Sequence, residues 1–233
     1  MVFTIQIKKE IIMNKFFKKI IWLIIISPAI YLAIVWNKLP EKITVNFNGQ
    51  GNPDRYGSKT GLIIGIGVII AIASAIWILM PLVYKIDRKK RAVENKARLL
   101  RMAFAICTFM SFVACVLINS SIYNTYFNFR IIFGSIGLMW CIMGNYMYNI
   151  KPNHFAGFRN SWTLNNEEIW RKTHMLGGKI WFAGGLLVAI ASFFASRNIG
   201  IIIFVSISLL IILVPFIYSY KLYKKQKPLN SMR

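Results

Sequence analysis

The chain has 233 residues, 57% hydrophobic and 15% charged, with 29 Lys/Arg against seven Asp/Glu. Soluble domains carry about 25% charged residues, whereas here the apolar residues come in uninterrupted runs long enough to span a membrane. The net charge of +22 comes with no nucleic-acid-binding motif, so direct nucleic-acid binding is set aside; in membrane proteins Lys and Arg collect in cytoplasmic loops and meet anionic lipid there. Cys107, Cys115 and Cys141 lie inside apolar runs without metal-ligand spacing and read as small core residues.

Residues 1–19 form a basic N-terminus, with Met13 (MNKFFKKIIW) a more natural start than Met1. The first apolar run, 20–36, ends at Trp36 and lacks a small-x-small cleavage site, so it is expected to be an uncleaved first helix. A polar loop follows at 37–60, with 42–47 a short strand and 49–56 consecutive turns rich in Gly, Pro, Asn and Asp. The second span, 61–84, carries Gly61, Gly65, Gly67, Ala71 and Ala75, a small-residue stripe expected to pack closely on another helix, and Pro81, expected to bend it. Residues 85–101 read as a basic surface helix and 102–118 as a short third span. The fourth span is 131–148, the fifth 180–196, and the sixth 199–220, interrupted by Pro215; a basic tail occupies 221–233.

With the N-terminus inside, six spans place 23 of the 29 Lys/Arg on the inner side and six on the outer. The predicted fold is therefore an all-α polytopic membrane bundle of six transmembrane helices with both termini cytoplasmic. The loop 37–60 is then extracellular, and 85–101 and 149–179 are cytoplasmic. No Asp, Glu, His, Lys or Arg lies well inside a span, which speaks against a proton- or ion-coupled transporter. No HExxH, Walker A or GxGxxG sequence occurs, so no enzyme chemistry, metal or cofactor is called for.

The inner connector, 144–179, holds both histidines together with Trp162 and Trp170. Asn165 is expected to N-cap a helix that runs into the fifth span, with Glu168 completing a capping box and Leu164 stapled onto Ile169. Along that helix Trp170, His174, Gly177 and Trp181 share a face. Gly177, Gly184 and Ala191 form one heptad stripe, and Gly178, Gly185 and Ser192 the neighbouring one. Arg159 suits helix-end carbonyls or lipid phosphate as well as a protein partner; Trp162 and Trp170 suit interfacial anchoring, and His174 a local hydrogen bond.

These residues carry a resemblance. Gly144, Asn145, Lys151, Pro152, Asn153, Gly157, Arg159, Trp162, Thr163, Leu164, Trp170 and His174 are spaced as in the signature of the SdpI family of bacterial membrane proteins. The first loop, LPEKITVNFNGQGNPDRYGSK, is similar to the small domain of unknown function that commonly precedes that region. It has Asn46 where the pattern often has His and Tyr56 where it often has Trp. The resemblance implies a four-helix region over 102–220 and a membrane immunity protein that resists a secreted toxic peptide. The best understood kind also senses the peptide and holds a cytoplasmic autorepressor at the membrane. On that basis Asn145, Asn153, Gly157, Arg159, Trp162, Thr163, Leu164, Trp170 and His174 are candidates to meet an inner partner. Asn46, Asn48, Gly51, Pro53, Asp54 and Tyr56 are candidates to meet the peptide outside. A small-molecule or lipid transporter, or an accessory membrane subunit, is the alternative.

Overall fold

The computed structural model describes residues 2–48, 53–86, 95–123 and 128–230. Seven α-helices and one β-hairpin account for most of them: α1 (Val2–Val35), β1 (Lys42–Phe47), β2 (Pro53–Ser58), α2 (Lys59–Ile86), α3 (Lys96–Tyr123), α4 (Phe129–Met147), α5 (Ser161–Asn165), α6 (Glu167–Phe194) and α7 (Arg197–Asn230). Among the described residues, five helical stretches are long and apolar enough to cross a membrane: Lys18–Lys38, Lys59–Met80, Lys96–Tyr123, Glu167–Phe194 and Arg197–Gln226. The chain is a multi-pass membrane protein. Helices dominate because hydrocarbon offers no water to backbone groups, and a helix satisfies them within itself.

Several boundaries differ from the sequence-based expectation. The third span is not short: α3 begins at Lys96, inside the stretch read as a surface linker, and runs to Tyr123. Residues 87–94 of that linker lie outside the described residues. Of the turns expected at 49–56, residues 49–52 lie outside the described residues, and 53–56 belong instead to β2, which pairs antiparallel with β1 from Lys42–Ser58 to Phe47–Pro53. The register shifts between Thr44 and Asn46, as at a bulge.

Pro215 does not interrupt the last helix, which continues to Asn230. A proline lacks the N–H that would pair with the carbonyl four residues earlier. For Pro215 that carbonyl belongs to Ile211, and the indole Nε1–H of Trp181 donates to it at 3.0 Å. Pro28 inside α1 poses the same problem for Ile24, whose carbonyl receives the Ser27 hydroxyl at 2.8 Å. In both helices a side chain supplies the missing donor, so the helix survives its proline.

Contacts divide the chain into two compact units, Met1–Ile78 with Ala103–Asn128, and Leu79–Met102 with Phe129–Arg233. In the first, Leu32, Val35 and Leu39 at the end of α1 pack with Ile43 of β1, Ile66 of α2, and Ala114 and Ile118 of α3. The hairpin is thus anchored through Ile43, while Val45 and Tyr56 stay exposed. The glycine stripe on α2 does not make the expected close packing: a Cβ added at Gly65 or Gly67 would meet nothing within 4 Å.

In the second unit the close packing is between α4 and α6. A Cβ at Gly137 would come within 2.6 Å of the Ala189 nitrogen and the Gly185 oxygen, and one at Gly178 within 2.7 Å of the Gly144 oxygen. The approach is backbone to backbone over about three helical turns, as in small-residue membrane helix pairs. On the neighbouring stripe Gly184 faces Ile207 and Ile211 of α7, and Phe204 of α7 stacks between Phe133 and Trp140 of α4.

Two predictions follow from this packing. Gly137→Ala should destabilise by about 1–3 kcal/mol through overpacking, whereas Gly67→Ala should be neutral or slightly stabilising, as read by thermal unfolding in detergent. Trp181→Phe should cost about 1–3 kcal/mol by orphaning the Ile211 carbonyl. The cost should shrink in a Pro215→Ala background, where a backbone N–H again reaches that carbonyl; equal costs in both backgrounds would contradict the pairing.

Candidate functional site

The connector between α4 and α6 is held by its own polar side chains. At its start, Asn95 is fully buried and its amide brackets the Lys151 peptide: Nδ2 donates to the Lys151 carbonyl and Oδ1 accepts from the Lys151 N–H, both at 2.9 Å. The Asn95 carbonyl also accepts the first backbone bond of α3, from Leu99 at 2.8 Å. Asn153, 1% exposed, folds the next turn. Its Oδ1 accepts from the N–H groups of Phe155 and Ala156 at 2.8 Å, and its Nδ2 donates to the Lys151 carbonyl at 2.9 Å. Asn suits such a turn because its short amide can imitate a backbone bond.

Gly157 then adopts φ +112°, and a Cβ there would overlap Nε2 of His174. Both backbone conformation and space therefore require glycine. The gap lets the Phe158 N–H donate to His174 Nε2 at 2.9 Å. Nε2 must carry the lone pair, so the ring proton sits on Nδ1 and is donated to the Trp170 carbonyl at 2.8 Å. His174 is 1% exposed and stacked on Trp170, with ring centroids 4.0 Å apart. With both nitrogens occupied, this imidazole has nothing to offer a substrate or a metal. Trp170, also 1% exposed, donates its indole N–H to the Ile150 carbonyl at 2.8 Å.

The capping arrangement differs from the expected one. Asn166, not Asn165, caps α6, accepting from the Ile169 N–H at 3.0 Å. The reciprocal box lies one element earlier: Asn160 Oδ1 accepts from the Thr163 N–H at 2.9 Å, and Thr163 Oγ1 accepts from the Asn160 N–H at 3.1 Å. A short helix, α5, intervenes between the two caps, and no periodic signal marks a five-residue helix. Glu168 is not a capping residue; it pairs with Lys172 at 2.6 Å and accepts from Gln226 at 3.0 Å.

The connector is also tied to α7. Trp162 donates its indole N–H to Ser219 Oγ at 2.9 Å and stacks on Tyr223 with centroids 5.7 Å apart. Asn160 Nδ2 reaches the same hydroxyl at 3.3 Å, and Asn166 Nδ2 donates to Gln226 Oε1 at 2.8 Å. Beside these contacts lies a groove of about 380 Å³ lined by Ser161, Trp162, Asn165, Asn166, Tyr223 and Gln226.

Of the expected inner residues, Asn153, Gly157, Trp162, Thr163, Trp170 and His174 thus meet in one hydrogen-bonded assembly, and Leu164 sits partly buried in α5. Arg159 and Asn145 are exposed; a guanidinium N–H of Arg159 donates to the His154 carbonyl. Asn95, Ser219 and Gln226 were not expected. Their types are common in loops and tails, and only the tertiary fold brings them to residues 151, 162 and 166. On the hairpin, Asn46, Asp54 and Tyr56 are exposed, and Asn48 and Pro53 partly so. Gly51 lies outside the described residues. Among the described residues no group of three or more His, Cys, Asp or Glu is placed to hold a metal ion.

Most of the assembly lies within a stretch that matches a family model. The model of the SdpI/YfhL protein family matches residues 149–219. That stretch is similar to the SdpI family. Residues 23–71 match a domain of unknown function (DUF1648), which takes in the hairpin. Along its length the chain is similar to the protein named Immunity protein SdpI of Bacillus subtilis (strain 168), with 28% identity over 220 residues, 93% of this chain and 99% of that one. No solved structure matches.

Gly157→Ala should loosen the connector by about 1–3 kcal/mol from backbone strain alone, and more through the overlap with His174. Limited proteolysis within residues 151–160 should accelerate strongly. Arg159→Ala, at an exposed position, should leave the proteolysis rate near wild type.

Proposed function

We propose that this chain is an immunity protein of the bacterial cell membrane that protects its host against a secreted toxic peptide. The observation that carries this reading is the similarity to the SdpI immunity protein across nearly the whole of both chains, membrane helices and polar connector included. The proposed topology is six spans with both termini cytoplasmic. It is supported by the Lys/Arg bias and by α4, which at 19 residues is about 28 Å long. Its Gly137–Gly144 stretch lies against residues 178–189 of α6, one of the five qualifying helices.

In this topology the hairpin faces outside and offers Asp54 and Tyr56, both exposed, together with Asn46, Asn48, Gly51 and Pro53, to an arriving peptide. The connector faces the cytoplasm. Its buried motif residues hold the fold, so contact with a cytoplasmic repressor falls to exposed Arg159 and Asn145 and to the groove beside Trp162. Signalling would require two arrangements of the helices with different affinities for the peptide. The basic segments at 1–19, 85–101 and 221–233 serve as contacts for anionic lipid.

Expression should allow a sensitive strain to grow in the presence of the cognate peptide. A double variant, Asp54→Ala with Tyr56→Ala, should reduce protection at unchanged protein level, and Arg159→Ala should reduce retention of a repressor more than survival. Wild-type expression that protects against no peptide encoded beside the gene would count against the immunity reading. Full protection by the double variant would count only against the hairpin.

A further inference from the structure

The first unit holds a second concavity, on one side of the pair α1 and α2. It has a volume of about 610 Å³ and is lined by residues of both helices. Leu32 and Ile66, 8% and 2% exposed, form its floor. Ala33 and Gly67 leave its walls low, and a Cβ at Gly67 would meet nothing within 4 Å. Its mouth is Trp36 and Asn37, in the single 3-10 turn that ends α1. From Asn37 the groove reaches Ala29, eight residues or about 12 Å along the helix. That is close to the depth of one leaflet of a hydrocarbon core about 30 Å thick.

The two ends of the groove differ in chemistry. The deep end is aliphatic, with Ala29 and Ile70. The other end is lined by Trp36 and Asn37, and Lys59, just outside the lining, holds its Nζ 5.6 Å from the Trp36 ring centroid. Lys59 also pairs with Glu41 at 3.2 Å, but the Glu41 side chain is 92% exposed, and such a pair is held weakly. The outer segment carries Lys38, Lys42, Arg55 and Lys59 against Glu41 and Asp54. A ligand complementary to this site has an apolar tail one leaflet long and an anionic head beside a cation and an indole.

We propose that the groove is a site for one anionic phospholipid of the leaflet on the hairpin side, its acyl chain over Leu32 and Ile66 and its phosphate at Lys59, Trp36 and Asn37. A bound lipid there would brace the junction between α1 and the hairpin, where Leu39 and Ile43 enter the core. An apolar helix, from a peptide or a second copy, would match the tail but would offer no anion to compete with Glu41 for Lys59.

The test uses the full-length protein in detergent, stripped of lipid and titrated with phosphatidylglycerol or phosphatidylcholine, with bound lipid read by native mass spectrometry. Gly67→Leu projects into the groove and should abolish the tightly held lipid. Gly65→Leu, at a glycine equally open but outside the groove lining, should bind as wild type. Lys59→Gln should weaken phosphatidylglycerol about fivefold, the loss expected for one cation near an anionic head, and leave phosphatidylcholine unchanged. Thermal unfolding verifies that each variant is folded. Undiminished lipid binding in Gly67→Leu, equal loss in Gly65→Leu, or no change in head-group preference in Lys59→Gln would each overturn the site. So would a disulfide-linked dimer formed through Gly67→Cys in membranes, or a Gly67→Leu protein that keeps its lipid but no longer protects cells.

Discussion

A carbonyl without a donor is costly wherever water is excluded, and this constraint organises the second unit. Two indoles answer it directly, and a third joins the connector to α7 through a hydroxyl. Trp181 supplies the hydrogen that Pro215 withholds from Ile211. Trp170 reaches the Ile150 carbonyl just beyond the end of α4. Trp162 donates to Ser219, whose own hydroxyl is donated to the Phe216 carbonyl at 2.7 Å. Each bond joins two segments distant in sequence, so satisfying the backbone and assembling the unit are one event. An indole suits the task because it offers a single donor on a large apolar ring, which can stay among hydrocarbon groups.

This economy separates the connector residues by role. Asn153, Thr163 and His174 spend their polar groups on neighbouring backbone, and Gly157 exists to let His174 do so. A residue committed in this way cannot also grip a partner without undoing the fold. It can only shape the surface on which others act. The polar atoms that stay exposed on the connector are chiefly those of Arg159 and of the groove where the Trp162 ring lies beside the amides of Asn165 and Asn166. Acid–base chemistry by His174 is closed off for the same reason.

Hydrophobic run length made the membrane helices readable from the sequence, since lipid leaves a long apolar segment few alternatives to a helix. Glycine spacing was a poorer guide. Gly61 and Gly65 match a packing motif as well as Gly178 and Gly185 do, yet only the latter pair meets a backbone. What distinguishes them is the facing helix: α4 brings Gly137 and Gly144 into register, and α2 has no such complement at Gly65. The cap of α6 was misread by one position because Asn165 and Asn166 have equal intrinsic preference. The choice falls to Asn166, whose Nδ2 also reaches Gln226, sixty residues away. Asn95 was invisible for a similar reason, since nothing in a basic linker announces a partner at Lys151.

The contacts that bind α7 also limit how it can move. Phe204, Ile211, Ser219 and Gln226 recur at intervals of seven or eight residues and so lie on one face. Along that face they meet in turn Trp140, Trp181, Trp162 and Asn166. Sliding the helix by one turn would set Leu222 against the Asn166 amide and Pro215 against the Trp162 indole. It would also bring the Trp181 N–H to the Ile207 carbonyl, which already has a donor in the Ile211 N–H. In that direction each of these polar matches would be lost. A state change involving α7 must therefore carry the connector and α6 with it as a body, or break the connector open. In either case the surface bearing Arg159 and the Trp162 groove changes together with α7.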